Sequence, residues 1–268
     1  MLVDSHCHLD FPDFADELDA VLARAREAGV GTLLTICTRL SAFDKVLGIA
    51  ERYEDVWCSV GVHPHEAAAE EGVTVERLVE LAQHPKVVGI GEAGLDYYYD
   101  NSPRECQKEV FRLHIMAARA TGLPLIVHSR DADTDTVSLL AEESTGSRPL
   151  SGVIHCFSST RTLARGALDL GFYISLSGIV TFRNADELRS IAADIPAAYR
   201  RLPLTDRPGL TDALPTWRTW LEKENEPDYW RSISYADRRA RTAVPGLHIG
   251  GWFDLFLRGT IGNYTTIV

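Results

Sequence analysis

The sequence predicts an α/β fold: a TIM-type (β/α) barrel with about seven βα units present and the eighth replaced by a tail of different character. Three observations carry this. Short apolar, β-rich runs alternate seven times with stretches of helical period, and such alternation calls for parallel strands joined by crossover helices. Polar residues stand at the C-terminal end of nearly every run, the end where barrel enzymes assemble their sites. The chain has 268 residues, close to the roughly 250 that one such barrel takes. An open doubly wound sheet is the alternative that the same alternation allows.

The strand-like runs are residues 2–5, 32–37, 56–62, 87–92, 125–128, 152–155 and 172–175. Between the first two, Phe14, Leu18, Val21, Leu22, Ala25 and Ala28 recur at three- and four-residue spacing. Cys106, Val110, Leu113, Ala117 and Ala120 do the same before the fifth, so both stretches read as helices with one apolar face. Gly29, Gly122 and Gly171 stand where helices should end before the next strand.

Composition bounds the function. With 45% hydrophobic and 24% charged residues the chain can bury a sizeable core. Its formal net charge of −11 excludes capture of nucleic acid by bulk positive charge. If the substrate is nucleic acid, a metal and a few local Arg and Lys side chains must hold the phosphates. The five cysteines are odd in number and none forms a CxxC pair. That argues against a disulfide framework or a zinc ribbon and for small core residues. The N-terminus has no basic stretch followed by an apolar run, and no run of about 18 apolar residues occurs. The expectation is a cytoplasmic protein with neither signal peptide nor membrane span.

The chemistry-bearing residues sit at strand ends. His6 and His8 form an HxH pair after the first run; strand periodicity turns both to one face, where two imidazoles can ligate one ion. Glu92 ends the fourth run, His128 the fifth and His155 the sixth. In a barrel these ends converge on one mouth, where buried polar groups are costly without a compensating partner. His63 and His65, in GVHPH after the third run, can be ligands, substrate contacts or proton carriers, and contact roles are favoured because Pro64 makes a rigid turn. Asp96 can orient a ligand, accept a proton or cap a loop. Arg130 can meet a phosphate or an acidic neighbour.

These residues carry a resemblance. The stretches DSHCHLD (4–10), SVGVHPHEA (59–67), VVGIGEAGLDYYYD (87–100), ECQKEVFRLHIMAARATGLPLIVHSRDA (105–132), GVIHCFS (152–158) and YISLSGIVTFRNADELR (173–189) resemble, in order and spacing, the TatD family of metal-dependent deoxyribonucleases, within the amidohydrolase-like barrels. The resemblance covers about the first 195 residues. It implies that His6 and His8 bind one metal, that Glu92 bridges two, and that His128 and His155 complete the second site. The cofactors it implies are two divalent ions, Mg²⁺ by family expectation, with Mn²⁺ or Zn²⁺ also suited to a His-rich shell. DNA is the substrate it implies, cut by a metal-activated water. A related barrel hydrolase acting on an amide or lactone is the alternative, and a metal-binding but inactive product is another.

The texture changes after Pro196. The family's eighth strand ends in a Glu-Thr-Asp-Ala-Pro-like motif whose Asp is a ligand and proton acceptor; here the region reads RLPLTDRPGL, and Asp206 fits about one residue late. Residues 199–206 are expected to pair as a poor eighth strand. From about 198 the chain resembles the cocaine-esterase and X-prolyl dipeptidyl-peptidase type of serine hydrolase, in YRRLPLTDRP, DYWRSIS and VPGLHIGGWFDLFLRGTIGNY. That likeness implies a triad acid at Asp254, yet no Gly-x-Ser-x-Gly elbow occurs. The sequence therefore divides at 196/197 into an incomplete barrel and a foreign tail.

Overall fold

The computed structural model describes residues 2–143 and 150–200, the side chains of 194–200 excepted. The chain divides into two compact units, Val3–Ala192 and a second of Met1–Leu2 with Ala193–Val268.

In chain order the elements are β1 (Leu2–Cys7), α1 (Leu18–Glu27), β2 (Val30–Thr35), α2 (Phe43–Arg52), β3 (Val56–Val60), α3 (Val75–Leu81), β4 (Val87–Asp96), α4 (Arg104–Thr121), β5 (Leu125–Arg130), α5 (Asp133–Glu143), β6 (Gly152–Ile154), α6 (Arg161–Asp169), β7 (Tyr173–Ile174) and α7 (Asp186–Arg200). The seven strands form one sheet in the order β1-β2-β3-β4-β5-β6-β7, and each pair from β2 to β7 is parallel. A doubly wound sheet would reverse direction partway; this order never does.

The sheet is curled into a half-barrel. The His6 ring near the end of β1 stacks on the His155 ring just past β6, with centroids 3.3 Å apart and planes 6° from parallel. Five strand spacings in a flat sheet would hold them roughly 24 Å apart. The predicted TIM-type architecture follows.

The helices pack their apolar faces on the sheet. α4 turns Phe111, Ile115, Ala117 and Ala118 into the core, where they join Ile90 and Leu95 of β4 and Leu125 and Val127 of β5, while Val110 packs with Val62 and Ala67 in a smaller cluster. Gln107 and His114 lie on the same buried face, and both are satisfied. His114 accepts from the Val62 amide (3.0 Å) and meets the Val110 carbonyl through Nδ1 (2.7 Å). A buried polar group with partners costs little, whereas an orphan costs about 1–3 kcal/mol.

Three details differ from the sequence reading. Phe14 belongs to a separate 3-10 turn, Pro12–Phe14, and α1 starts only at Leu18; Pro12 initiates its own turn, and the backbone leaves helical geometry at Glu17. β4 runs past Glu92 to Asp96, since Leu95 and Asp96 still find partners in Ser129 and Arg130 of β5. Tyr199 and Arg200 end α7 and so cannot begin an eighth strand, because helix geometry satisfies their backbone locally; residues 201–206 lie outside the described residues. Gly29, Gly122 and Gly171 have φ of +87°, +76° and +85°, as helix-ending glycines do.

Candidate metal centre

β4 supplies the two carboxylates. Glu92 and Asp96 are 4% and 0% exposed. One extra residue on β4 between Ile90 and Ala93 bulges the pairing with β5, and such bulges re-aim side chains. Beyond the bulge, His128 of β5 pairs with Gly94, midway between the two acids. His128 therefore reaches both, donating through Nδ1 to Glu92 Oε1 (3.2 Å) and through Nε2 to Asp96 Oδ2 (3.0 Å). This needs glycine at 94. Its φ is +148°, and a Cβ there would lie 1.9 Å from the His128 carbonyl oxygen.

Asp96 is a hub. Its Oδ2 also meets His65 Nε2 at 2.8 Å, and its Oδ1 accepts from the Tyr98 and Tyr99 amides at 3.1 and 2.9 Å. The Gln107 side chain grips its backbone, accepting from the Asp96 amide (2.8 Å) and donating to its carbonyl (3.2 Å).

Glu92 is shared in another way. Among the described residues, His6, His8 and Glu92 hold ligand atoms within 4.8 Å of one another, and so do His63, Glu92 and His128. The carboxylate stands 3.3 Å from His6 Nε2 and 3.9 Å from His63 Nε2. One acid with imidazoles on both sides is the donor arrangement for a bridged metal pair.

The fit to metal rests on what the protein leaves unsatisfied. His6 Nε2, His8 Nδ1 and Asp10 Oδ1 are buried without hydrogen-bond partners; His6 Nε2 is near Glu92 but off line. Buried orphan nitrogens beside a buried carboxylate are costly unless a cation satisfies them. Protonation agrees. Burial lowers the His8 imidazole, lowers His63 to about 3 and lowers His155 to about 4. All three are thus neutral with lone pairs available. Burial pushes the Glu92 carboxyl up, but contacts with His128 and His6 outweigh it and hold Glu92 well below its usual range. Burial opposes charge on His128 too, yet its bonds to Asp96 and Glu92 raise it to about 9. Without metal, that imidazolium is the cation between two buried acids. A divalent ion in the second group would replace it, and His128 must then release a proton.

These groups open on a cavity of about 950 Å³, lined also by Asp10, Phe11, Lys45, Tyr98 and Arg130. Among the described residues Arg130 has no carboxylate partner; it lies over the rings of Tyr98 and Tyr99, at 4.2 and 4.8 Å from their centroids. Its guanidinium therefore lies on two aromatic rings at the cavity wall.

The structure thus brings together His6, His8, Glu92, His128, His63, His65, Asp96 and His155. His63 falls in the second donor group, the place that the resemblance gave to His155, while His155 lies against His6. Asp206 and Asp254 lie outside the described residues. Sequence reasoning passed over Gln107 and Asp10. Gln107 was marked by its phase, four residues before Phe111 and seven before His114 on an apolar helix face; Asp10 was marked only by closing the DSHCHLD stretch.

Comparison with known proteins agrees with this geometry. Residues 3–236 match the family described as TatD related DNase, and the chain belongs to that family of metal-dependent hydrolases. It is 36% identical over 234 residues to YabD of Bacillus subtilis, covering 87% of this chain and 89% of that one. It is 41% identical over 236 residues to YcfH of Escherichia coli K12, covering 87% and 85%. Both are described as uncharacterized metal-dependent hydrolases. The crystal structure of YjjV, a TatD homologue from E. coli K12, superposes with a TM-score of 0.66 at 31% identity, covering 76% of this chain and 75% of that one. The family match runs past the boundary near 196 and takes in Asp206. Among the described residues no helix is long and apolar enough to cross a membrane.

Proposed function

We propose that this hydrolase is a deoxyribonuclease that cuts phosphodiester bonds with the help of two divalent ions. The observation that carries the reading is the shared Glu92: one buried carboxylate set between two groups of imidazole donors, in a cavity that Arg130 also lines. When bound, two such ions supply Lewis acidity and a hydroxide nucleophile near neutral pH.

The chain's own residues do the rest. Glu92 spans the two groups and His6, His8, His63 and His128 complete them, with His155 held against His6 as a further donor. Asp96 orients His65 and His128, as carboxylates behind ligating histidines commonly do. Arg130 offers its guanidinium to a phosphate oxygen, where a planar cation pairs well. Asp206 is assigned the proton-accepting role that the family's eighth-strand Asp implies. Mg²⁺ is the assigned metal, and the cytoplasm the assigned location. The tail from about 198 keeps its likeness to serine hydrolases as a reading of sequence; without a nucleophile elbow it contributes no esterase step.

Incubation of the purified chain with single-stranded DNA and Mg²⁺ tests this. Cleavage that disappears in Glu92→Gln and His128→Ala is expected. A wild-type protein that binds two ions yet leaves DNA intact while opening lactones or amides would replace the nuclease reading with the related barrel hydrolase.

A further inference from the structure

Gln107 does more than fill its place on α4. It stands in the first turn of that helix, and it is fully buried, as are Asp96 and Ser102. An apolar side chain of the same size would leave no polar atom to satisfy, so packing alone does not call for an amide here. The amide is bound at both ends of the loop between β4 and α4. At one end it accepts from the Asp96 amide and donates to the Asp96 carbonyl. At the other it donates to the Ser102 carbonyl at 2.7 Å. The Ser102 hydroxyl in turn donates to the His65 carbonyl at 2.9 Å and accepts from the Ala68 amide at 3.1 Å, which ties in the turn after β3. His65 then meets Asp96 Oδ2 through Nε2. Gln107, Ser102, His65 and Asp96 thus form one closed circuit of hydrogen bonds.

We propose that Gln107 is a positioning residue for the second donor group: with Ser102 it fixes Asp96 and His65, and through Asp96 it aims His128 at the ion that His63, Glu92 and His128 would hold. The proposal rests on the two-metal reading and is independent of what the enzyme cuts. Asp96 ends β4 and belongs to its last pair with β5, and chain ends of this kind open easily unless something ties them. Gln107 ties this one with two hydrogen bonds. The anchored carboxylate holds His128 by Nε2 and leaves Nδ1 facing Glu92. An imidazole fixed at one nitrogen presents the other to a metal in a set direction. The circuit runs through neither His6 nor His8, and the first donor group shares only Glu92 with the second. Opening the circuit therefore acts on one ion, which a general loss of stability would not do.

Calorimetric titration of the whole chain with Mn²⁺ tests this, each variant being measured below its own melting temperature. The ion weakened by His8→Ala marks the first group. Gln107→Met keeps the length and volume of the side chain and removes all three of its hydrogen bonds. It should weaken the other ion at least about tenfold and leave the first near wild-type affinity. Ser102→Ala, which opens the circuit at one link, should cause a smaller loss on the same ion, and it carries the test if Gln107→Met does not fold. Ile115→Ala lies further along α4 and outside the circuit; it leaves a cavity in the core and should lower stability with both affinities unchanged. Gln107→Met and Ser102→Ala proteins that bind both ions as the wild type does overturn the positioning role and leave the two-metal reading standing. So does a loss shared equally by both ions in Gln107→Met and Ile115→Ala, which would make the amide a matter of stability alone. A wild-type chain that binds no second ion sinks the two-metal reading, and the positioning role with it.

Discussion

Replacing Gly94 by alanine should damage fold and site together. The backbone there has φ +148°, and the new Cβ would fall 1.9 Å from the His128 carbonyl oxygen. A non-glycine residue in that region costs about 1–3 kcal/mol. Forcing the strands apart to make room costs about as much again. A loss of about 4 kcal/mol is a large share of the usual 5–15 kcal/mol, and at this size it lowers Tm by roughly 8–16 °C. Because His128 pairs with Gly94, the forced movement also carries its imidazole away from Glu92 and Asp96. Misplacing a ligand's support typically weakens metal binding about 10- to 100-fold. Circular dichroism melting and calorimetric titration with Mn²⁺ measure the two effects. A Gly94→Ala protein that melts within about 2 °C of wild type and binds Mn²⁺ normally would refute the close approach of β4 and β5 at the site.

Two other outcomes follow from burial. The His114 imidazole is pushed down to about 4 by burial, against an ordinary value near 6.5. The unfolded chain therefore takes up this proton first as pH falls. Full stability is kept above about pH 6.5 and is lost progressively down to about pH 4, by about 3 kcal/mol from this residue. In urea unfolding the gap between wild type and His114→Gln should narrow by that amount between pH 7 and pH 4; a constant gap would contradict it. Burial also raises the Cys37 thiol to about 11 and Cys58 to about 12. Mass spectrometry should find both unalkylated by iodoacetamide in the native protein at pH 7.5 and labelled once it is unfolded. Native labelling of either at a free thiol's rate would show the core is open there.

Much of the architecture was legible because it depends on local pattern. Short apolar, β-rich runs between stretches of helical period placed seven strands within a few residues, and polar strand ends placed His6, Glu92, His128 and His155 around one mouth. What could not be read is what depends on register and approach. A bulge in β4 sets His128 between Glu92 and Asp96, and no periodicity announces a bulge. His63 reads in sequence as a contact, because Pro64 makes a rigid turn, and only the fold sets it beside Glu92 and His128 as a possible ligand. Arg130 became distinguishable from an ordinary salt-bridging arginine only when Tyr98 and Tyr99 were found beneath it. Phe14 was misassigned because a helical spacing of apolar residues continues across a turn that Pro12 begins.

The central claim is that one carboxylate serves two metal ions. Equilibrium dialysis against Mn²⁺ followed by elemental analysis tests it directly. Two ions per wild-type chain are predicted, with both sites weakened at least about tenfold in Glu92→Gln and only one weakened in His8→Ala. A Glu92→Gln protein that keeps one of its two ions at wild-type affinity would contradict it.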